Sequence, residues 1–179
     1  MTIQQKLTNF YIQNNLDKNG GENNDWFYLH FKFFSLKLPN SQFRKDVIHI
    51  HDIEHILYDC DTTWKGEAFI AGWEIATGLW KKLPIGIMSL WAMGFSLLIH
   101  SKEVIKGYKE GLLVNGVINL DIEKEKLLQL TITQVKQLIR KEKPVPFHKL
   151  KYILFCTFSI LVVITPILLL LFLWVMYIV

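Results

Sequence analysis

Cysteine is scarce in this sequence, and its scarcity excludes two kinds of site. The 179 residues contain two cysteines, Cys60 and Cys156. Two cysteines so far apart provide neither a disulfide framework nor a C-x-x-C metal site. Such a chain suits a reducing compartment. The opening stretch, MTIQQKLTNFYIQNN, also lacks the apolar run of a signal peptide. We therefore expect residues 1–25 to form a polar N-terminal lead.

Charge is absent from the last 28 residues, 152–179, which read YILFCTFSILVVITPILLLLFLWVMYIV. A helix needs about 20 apolar residues to cross a hydrocarbon core of roughly 30 Å. The run is longer than this requirement and longer than an ordinary buried core helix. It therefore predicts one C-terminal transmembrane helix, with a kink at Pro166.

Basic residues cluster immediately before the predicted transmembrane helix. Against the single acid Glu142 stand six basic residues: Lys136, Arg140, Lys141, Lys143, Lys149 and Lys151. Basic flanks stay on the cytoplasmic side of a membrane. We therefore expect 144–151 to be a basic juxtamembrane linker and the preceding chain to face the cytosol. A bacterial inner membrane is favoured, and the matrix side of a mitochondrial inner membrane is the alternative.

The excess of basic residues is small and local. The formal net charge is +4, and much of it lies beside the predicted membrane span. In that place it can contact anionic lipid headgroups. We therefore expect the lipid bilayer as a partner, and no nucleic acid.

Hydrophobic periodicity predicts an all-α fold, with a compact helical domain at 26–143 followed by the transmembrane helix. Within the domain, helices are expected at 42–58, at 65–79, at 83–99 with a continuation to 111, and at 122–141. The aromatic segment 26–38 fits a short strand or an interfacial helix. The uncharged run 83–99 predicts the buried central helix of the domain, with a second membrane contact as the alternative.

Two histidines on the first of these helices have the spacing of a metal site. His51 and His55 are four residues apart, so both imidazoles lie on one helix face, one turn apart. Asp52 and Glu54 flank their shared direction by about 80° on either side, and Glu67 opens the next helix. Two imidazoles with one or two carboxylates suit zinc, iron, manganese or cobalt, and leave a position open for water or substrate.

The same helix has a simpler interpretation. Ile50, Ile53 and Leu57 lie on one side of the helical wheel, nearly opposite the two histidines. The histidine face is therefore also explained as a solvated polar face. A His-x-x-x-His spacing by itself does not decide between the two.

The pattern His51-Asp52-x-x-His55, followed after eleven residues by Glu67, resembles the signature of the coenzyme Q (ubiquinone) biosynthesis family Coq-four. The blocks HDIEHIL and TTWKGEA around it are similar to that family's His-Asp-aliphatic-x-His-aliphatic-Leu block and Thr…Gly-Glu-Ala stretch. Further along, GYKEG and a Leu-rich segment up to Arg140 follow in the same order. The resemblance covers roughly residues 35–142.

This resemblance implies an all-helical fold that holds a divalent metal, with zinc favoured, at His51, Asp52, His55 and Glu67. It also implies a prenylated aromatic or other lipid substrate and association with other quinone-biosynthesis proteins. The implied reaction is an oxidative decarboxylation, which removes the ring carboxylate of a prenylated 4-hydroxybenzoate derivative and hydroxylates that carbon. The C-terminal transmembrane helix departs from the family, whose typical members attach to membranes peripherally. The region before Arg44 does not match it well.

Two other functions are compatible with the same residues. His51-x-x-Glu54-His55 also fits the inverted zincin pattern, in which Glu54 would be the general base of a metalloprotease. No flanking block supplies the third ligand that this architecture needs. The other alternative is a non-catalytic lipid-binding scaffold that organises biosynthetic enzymes at the membrane.

Overall fold

The computed structural model describes residues 1–31 and 33–178. Within these ranges the chain forms seven α-helices and one two-stranded antiparallel sheet. The helices are α1 (Ile3–Gln13), α2 (Gln42–Tyr58), α3 (Trp64–Thr77), α4 (Ile85–Gly111), α5 (Lys124–Gln129), α6 (Ile132–Ile139) and α7 (Lys149–Ile178). The strands are β1 (Trp26–His30) and β2 (Ser35–Pro39). The mostly helical fold is confirmed, and the hairpin β1–β2 corrects the prediction of a chain that is helical throughout.

The chain separates into two compact units, which we describe one at a time. Unit 1 contains Met1–Cys60 with Val117–Ile139, and unit 2 contains Asp61–Gly116 with Arg140–Val179. Helices α1, α2, α5 and α6 and the hairpin therefore belong to unit 1, and α3, α4 and α7 belong to unit 2.

Helix α1 of unit 1 occupies much of the segment expected to be a polar lead. A capping box begins it: the N–H of Gln5 donates to Thr2 Oγ1 at 3.3 Å, and the N–H of Thr2 donates to Gln5 Oε1 at 3.0 Å. Apolar residues spaced by three and four positions share one helix face. In α1 that face is buried, and it carries Ile3, Leu7, Phe10 and Tyr11. This part of the lead is therefore a core helix.

Helix α2 begins and ends at the residues that the sequence predicts, Gln42 and Tyr58. The extended backbone of Ser41 precedes its first turn, and the apolar side chains of Ile48, Ile53 and Leu57 are buried in unit 1. At the other end, Asp59 adopts a left-handed conformation with φ 53°. This turn places Cys60 against the last turn of the helix, where its N–H donates to the carbonyl of His55 at 3.0 Å.

The hairpin β1–β2 also belongs to unit 1. Its register pairs Trp26 with Pro39, Tyr28 with Lys37 and His30 with Ser35. Side chains alternate between the two faces of a strand, so these six residues share one face. The segment that the sequence left open between strand and helix is therefore a strand pair.

The helix predicted over 122–141 is instead two helices, α5 and α6. A second capping box starts α6: the N–H of Gln134 donates to Thr131 Oγ1 at 3.3 Å, and the N–H of Thr131 donates to Gln134 Oε1 at 2.8 Å. Thr131 also forms an antiparallel β-bridge with Thr2. The break between α5 and α6 thus contacts the start of α1 through this bridge.

In unit 2, helices α3 and α4 approach closely because glycines lie between them. A Cβ at Gly72 would collide with the carbonyl of Val104, and a Cβ at Gly107 would collide with the carbonyl of Phe69. Ridges and grooves of two helices interlock more tightly where a side chain is missing. The core beside this contact contains Ala68, Ala71, Ile75, Leu90, Met93, Val104, Tyr108 and Leu112.

Helices α4 and α7 of unit 2 are both long and apolar enough to cross a membrane, by length and composition. In the most apolar window of α4, 33 % of the residues are buried, whereas the value for α7 is 6 %. The two helices meet where Gly94 faces the backbone of Ser159. A C-terminal apolar helix is therefore confirmed through Ile178, and Val179 lies outside the described residues. The predicted central helix at 83–99 is the first part of α4, a second candidate for a span.

Candidate metal centre

The two histidines of α2 lie side by side in unit 1. Because they are four residues apart on a continuous helix, their side chains leave the same face one turn apart. The Nε2 atoms of His51 and His55 are 3.2 Å apart. Their rings are nearly perpendicular, with centroids 4.8 Å apart and an angle of 72° between the planes. The structure therefore brings the predicted histidine pair together through one nitrogen of each ring.

The end of α2 fixes the orientation of His55. Its side chain is 1 % exposed and packs against the ring of Phe10, with centroids 5.7 Å apart. Its other ring nitrogen, Nδ1, lies 3.3 Å from the backbone carbonyl of Cys60. A carbonyl only accepts, so Nδ1 is the donor in this contact, and in the neutral imidazole Nε2 then has the lone pair. A hydrogen bond from the distal nitrogen to a carbonyl is the usual way in which proteins orient a metal-binding histidine.

The distance between the two nitrogens fits a shared metal ion. Zinc–nitrogen bonds of about 2.0–2.1 Å at a tetrahedral angle place two ligand nitrogens about 3.3 Å apart. The observed separation of 3.2 Å agrees with this value. It also fits an N–H···N hydrogen bond in which His51 donates to His55. The donor set accommodates a divalent metal, and the same pair has a hydrogen-bonded arrangement without one.

Asp52, the third predicted ligand, is buried on α2. Its Oδ2 accepts a hydrogen bond from the phenol of Tyr11 on α1 at 3.0 Å. Gly20, with φ 63°, also lies against this oxygen, and a Cβ there would collide with Oδ2. Burial first, and then the negative charge of Asp52, raise the pKa of Tyr11 well above its ordinary value. The phenol thus stays protonated and holds the carboxylate in one orientation.

Glu54, the general base of the inverted zincin interpretation, is 2 % exposed. A general base of a protease has to come within hydrogen-bond reach of the proton that it removes, either directly or through a water. The carboxylate is buried to the same degree as the His55 side chain, which is 1 % exposed. Burial of Glu54 therefore does not separate the metalloprotease interpretation from the proposed centre, and the variants of Glu54 and Glu67 do.

Glu67, the fourth predicted ligand, lies in the first turn of α3 in unit 2. A local motif starts that helix: Asp61 Oδ1 accepts hydrogen bonds from Thr63 N–H at 3.1 Å and from Thr63 Oγ1 at 2.6 Å. Gly66 lies directly against the backbone of Asp61, where a Cβ would collide with the carbonyl. The TTWKGEA block is thus a tight turn into a helix, and it presents Glu67 one turn after the N-cap.

Sequence reasoning missed one buried carboxylate of unit 2, Glu74. Its Oε2 accepts a hydrogen bond from Ser89 Oγ at 2.6 Å, and both side chains are buried. Glu74 follows Glu67 by seven residues, which places both on one face of α3. That seven-residue spacing is the sequence signal by which Glu74 could have been found. No sequence signal pointed to Tyr11, because 41 residues separate it from Asp52.

Comparison of the chain with protein-family models, with curated proteins and with solved structures finds no match. The protein is therefore described by its own fold and candidate site. It is a mostly helical protein with a candidate two-histidine metal centre on α2 and an apolar C-terminal helix.

Proposed function

We propose that this chain is a membrane-anchored, metal-dependent protein of quinone or prenyl-lipid biosynthesis. Its substrate in this proposal is a prenylated hydroxybenzoate-type ring, and its reaction is an oxidative decarboxylation at the ring carbon that bears the carboxyl group. The observation that carries the proposal is the histidine pair, with Nε2 atoms 3.2 Å apart and His55 oriented by the carbonyl of Cys60.

The proposed ligands are His51, Asp52, His55 and Glu67, with zinc as the favoured ion. The histidines are supported by their geometry. Asp52 follows His51 directly in the sequence. It is supported as a ligand by its burial and by the hydrogen bond from Tyr11 that fixes its carboxylate. Glu67 is supported by the sequence, since it follows His55 after eleven residues and stands in the first turn of a helix.

The reaction balances with dioxygen as the oxidant. The bond between the ring carbon and the carboxyl carbon breaks, and a carbon–oxygen bond forms at the same ring carbon. The ring gives up two electrons to dioxygen. With one water consumed, the products are the hydroxylated ring, carbon dioxide and hydrogen peroxide. A bound divalent metal would supply Lewis acidity toward the ring hydroxyl and carboxylate, while Tyr11 and the carbonyl of Cys60 hold the ligand side chains in place.

Membrane attachment is the second part of the proposal. Helix α7 is the proposed single C-terminal anchor, because only 6 % of the residues in its most apolar window are buried. The basic residues before it favour a cytoplasmic position for the preceding chain, at a bacterial inner membrane or on the matrix side of a mitochondrial one. A prenylated substrate dissolves in the bilayer. An anchor therefore keeps the candidate centre near the surface at which this substrate and other quinone-biosynthesis proteins are found.

The alternative function is a non-catalytic lipid-binding scaffold. The exposed apolar surface of α4 and α7 is compatible with lipid binding whether or not the chain has turnover. In that case the histidine pair is a hydrogen-bonded element of α2, and the metal is structural or absent.

The first test is the metal content of the detergent-purified full chain, measured by mass spectrometry. The comparison variant is the double substitution His51→Ala and His55→Ala. We expect about one equivalent of metal per chain in the parent and none in the variant, because the pair supplies two of the ligands. An unmetallated parent, after purification without chelators and with metal added back, would contradict the metal centre and favour the scaffold.

The second test is turnover of a prenylated 4-hydroxybenzoate by the metal-loaded chain in lipid nanodiscs. We expect release of carbon dioxide with appearance of the hydroxylated ring. The double histidine variant should show neither product. A metal-loaded parent that binds the lipid without turnover would identify the scaffold instead.

A further inference from the structure

The hairpin β1–β2 presents an aromatic surface to solvent. Trp26 and Tyr28 lie on the same exposed face as Lys37. At the turn, Phe33 is 87 % exposed and Phe34 is 61 % exposed. Large aromatic side chains are usually buried, and clusters of exposed ones mark an interaction surface. We call Phe33 and Phe34 together the hairpin tip.

Described residues on either side of position 32 contact one another. The N–H of Phe31 donates to the carbonyl of Phe34 at 2.8 Å, and the rings of these two residues stack with centroids 4.7 Å apart. Nδ1 of His30 lies 2.8 Å from Ser35 Oγ across the same turn. These contacts join the end of β1 to the start of β2 beside the two exposed phenylalanines.

Cations stand beside the aromatic rings at the base of the hairpin. Lys37 Nζ lies 4.7 Å from the centroid of the Trp26 ring. The guanidinium of Arg44 lies 4.2 Å from the centroid of the Phe27 ring, on the opposite, half-buried face of β1. Tryptophan and tyrosine are enriched at membrane interfaces, and a lysine beside them attracts anionic headgroups. Exposed aromatic residues suit both a lipid surface and a protein interface, and Lys37 favours the lipid surface because lysine is depleted from the centre of protein interfaces.

We propose that the hairpin tip inserts into the interfacial layer of a bilayer that contains anionic phospholipids, with Trp26, Tyr28 and Lys37 at headgroup level. This inference rests on the membrane attachment in the proposed function, because α7 would hold the hairpin near the same bilayer. A tether raises the local concentration of the membrane surface, so a weak contact suffices. Insertion stops at the interface, since the open edges of a two-stranded sheet need water for their backbone groups.

The experiment uses the full chain reconstituted into vesicles of phosphatidylcholine and phosphatidylglycerol. Cys60→Ser and Cys156→Ser remove the native thiols, and Ser35→Cys places an environment-sensitive fluorophore beside the tip with both phenylalanines intact. The matched label position is Glu125→Cys, on the exposed surface of α5. We expect the label at 35 to be quenched by lipid-phase quenchers several-fold more than the label at 125, and to be protected from aqueous iodide.

A charge variant tests the tip itself. Phe33→Glu together with Phe34→Glu should return the label at 35 to the iodide sensitivity of the label at 125. The control is Ile12→Glu, which changes an exposed apolar residue of α1 outside the hairpin and should leave the lipid quenching unchanged. Retention of lipid quenching in the double glutamate variant would overturn the inference.

The outcomes separate this inference from the anchor. Chain that fails to float with vesicles refutes membrane attachment and the inference with it. If the chain floats with the vesicles but iodide still quenches the label at 35, the hairpin contact alone is refuted. Protection of that label from both quenchers would show that a protein surface, such as a second copy of the chain, covers the tip, and would also overturn the inference.

Discussion

The phenol of Tyr11 donates a hydrogen bond to Oδ2 of Asp52 at 3.0 Å, and this bond joins the N-terminal helix to α2 at the residue that follows His51. Both groups are buried, so the bond is protected from competing water. Hydrogen bonds of this kind orient ligand side chains and raise metal affinity by about 10–100-fold. If Asp52 is a ligand, as we propose, α1 has a part in the metal centre in addition to its part in the core.

The first prediction concerns Tyr11→Phe. The substitution keeps the ring and removes the hydroxyl, so the core of unit 1 stays filled while Asp52 loses its donor. We expect zinc affinity to fall by about 10–100-fold, as measured by competition with a chromophoric chelator. Tyr28→Phe, at an exposed tyrosine of the hairpin, is the matched control and should bind as the parent does.

A structural role alone would give a different result for Tyr11→Phe. The absorption spectrum of the cobalt-substituted chain distinguishes the two cases, because it reports the coordination geometry directly. We expect an altered spectrum in Tyr11→Phe if the bond positions Asp52. A lower thermal midpoint with unchanged affinity and spectrum would contradict a positioning role.

The second prediction concerns the capping box that separates α5 from α6. Thr131→Ala removes the side-chain acceptor for the N–H of Gln134. We expect a loss of about 1 kcal/mol in the free energy of unfolding, measured by urea titration in detergent. Thr133→Ala, an exposed position two residues further along the same helix, should change stability by less than about 0.5 kcal/mol. Equal effects at the two positions would contradict the cap.

Local signals in the sequence predicted α2 and the histidine pair. The break at Pro39 and the following Ser41 set the start of the helix, and its bounds agree with the structure. Once a helix is established, its period alone brings His51 and His55 to one face. The orientation of His55 was not predictable in this way, because it depends on the left-handed turn at Asp59.

Two helix starts were missed although their signal was present. Thr2 and Gln5, and likewise Thr131 and Gln134, have the Thr-x-x-Gln spacing of a capping box, and in both cases the structure contains the box. The polar composition of residues 1–25 outweighed the capping-box spacing at Thr2. The apolar periodicity across 122–141 concealed the capping-box spacing at Thr131. The hairpin was ambiguous for another reason: aromatic residues suit both strands and interfacial helices.

The third prediction concerns the close contact between α3 and α4. Gly107→Ala places a Cβ against the carbonyl of Phe69, so the helices have to separate or shift. We expect a loss of about 1–3 kcal/mol in the free energy of unfolding, as is usual for overpacking. Ser101→Ala, at an exposed position of α4, is the control. Unchanged stability in Gly107→Ala would contradict the helix contact.

The fourth prediction concerns pH and Lys141. Its Nζ donates to the carbonyls of Gly111 and Leu112 at 3.4 and 3.3 Å, at the end of α4. Burial first, and then the charge of Lys151, lower the pKa of Lys141 from 10.5. Between the lowered pKa and 10.5 the unfolded chain binds more protons than the folded chain, so this residue makes stability rise with pH in that window.

The comparison variant for this effect is Lys141→Met, which keeps the length of the side chain and cannot titrate. We expect the free energy of unfolding of the parent, relative to that of the variant, to increase as the pH is raised toward 10.5. Urea titrations of both chains over an alkaline pH series measure it. A parent that loses stability relative to the variant over this range would contradict the direction of the shift.

The last prediction separates the two metal-dependent functions through their glutamates. In the proposed centre Glu67 is a ligand, so Glu67→Gln weakens the site by removing a charged oxygen donor. We expect zinc affinity to fall by at least about 10-fold with turnover falling in parallel. Glu54→Gln should retain both, because the proposed ligand set does not include Glu54. In an inverted zincin the order reverses: Glu54→Gln would keep the metal and abolish activity, since Glu54 would be the general base.

Burial makes a control for Glu54 necessary. Its side chain is 2 % exposed, and Glu54→Gln can therefore lower stability without any part in chemistry. Thermal midpoints of both variants are measured beside zinc affinity, with Glu125→Gln at an exposed position as the reference. A folded Glu54→Gln chain that binds zinc and has lost all turnover would assign Glu54 the role of a general base and favour the inverted zincin. A folded Glu67→Gln chain with parental zinc affinity would refute the proposed ligand set, because the carboxylate that the sequence assigns to the centre would then make no contribution to holding the ion.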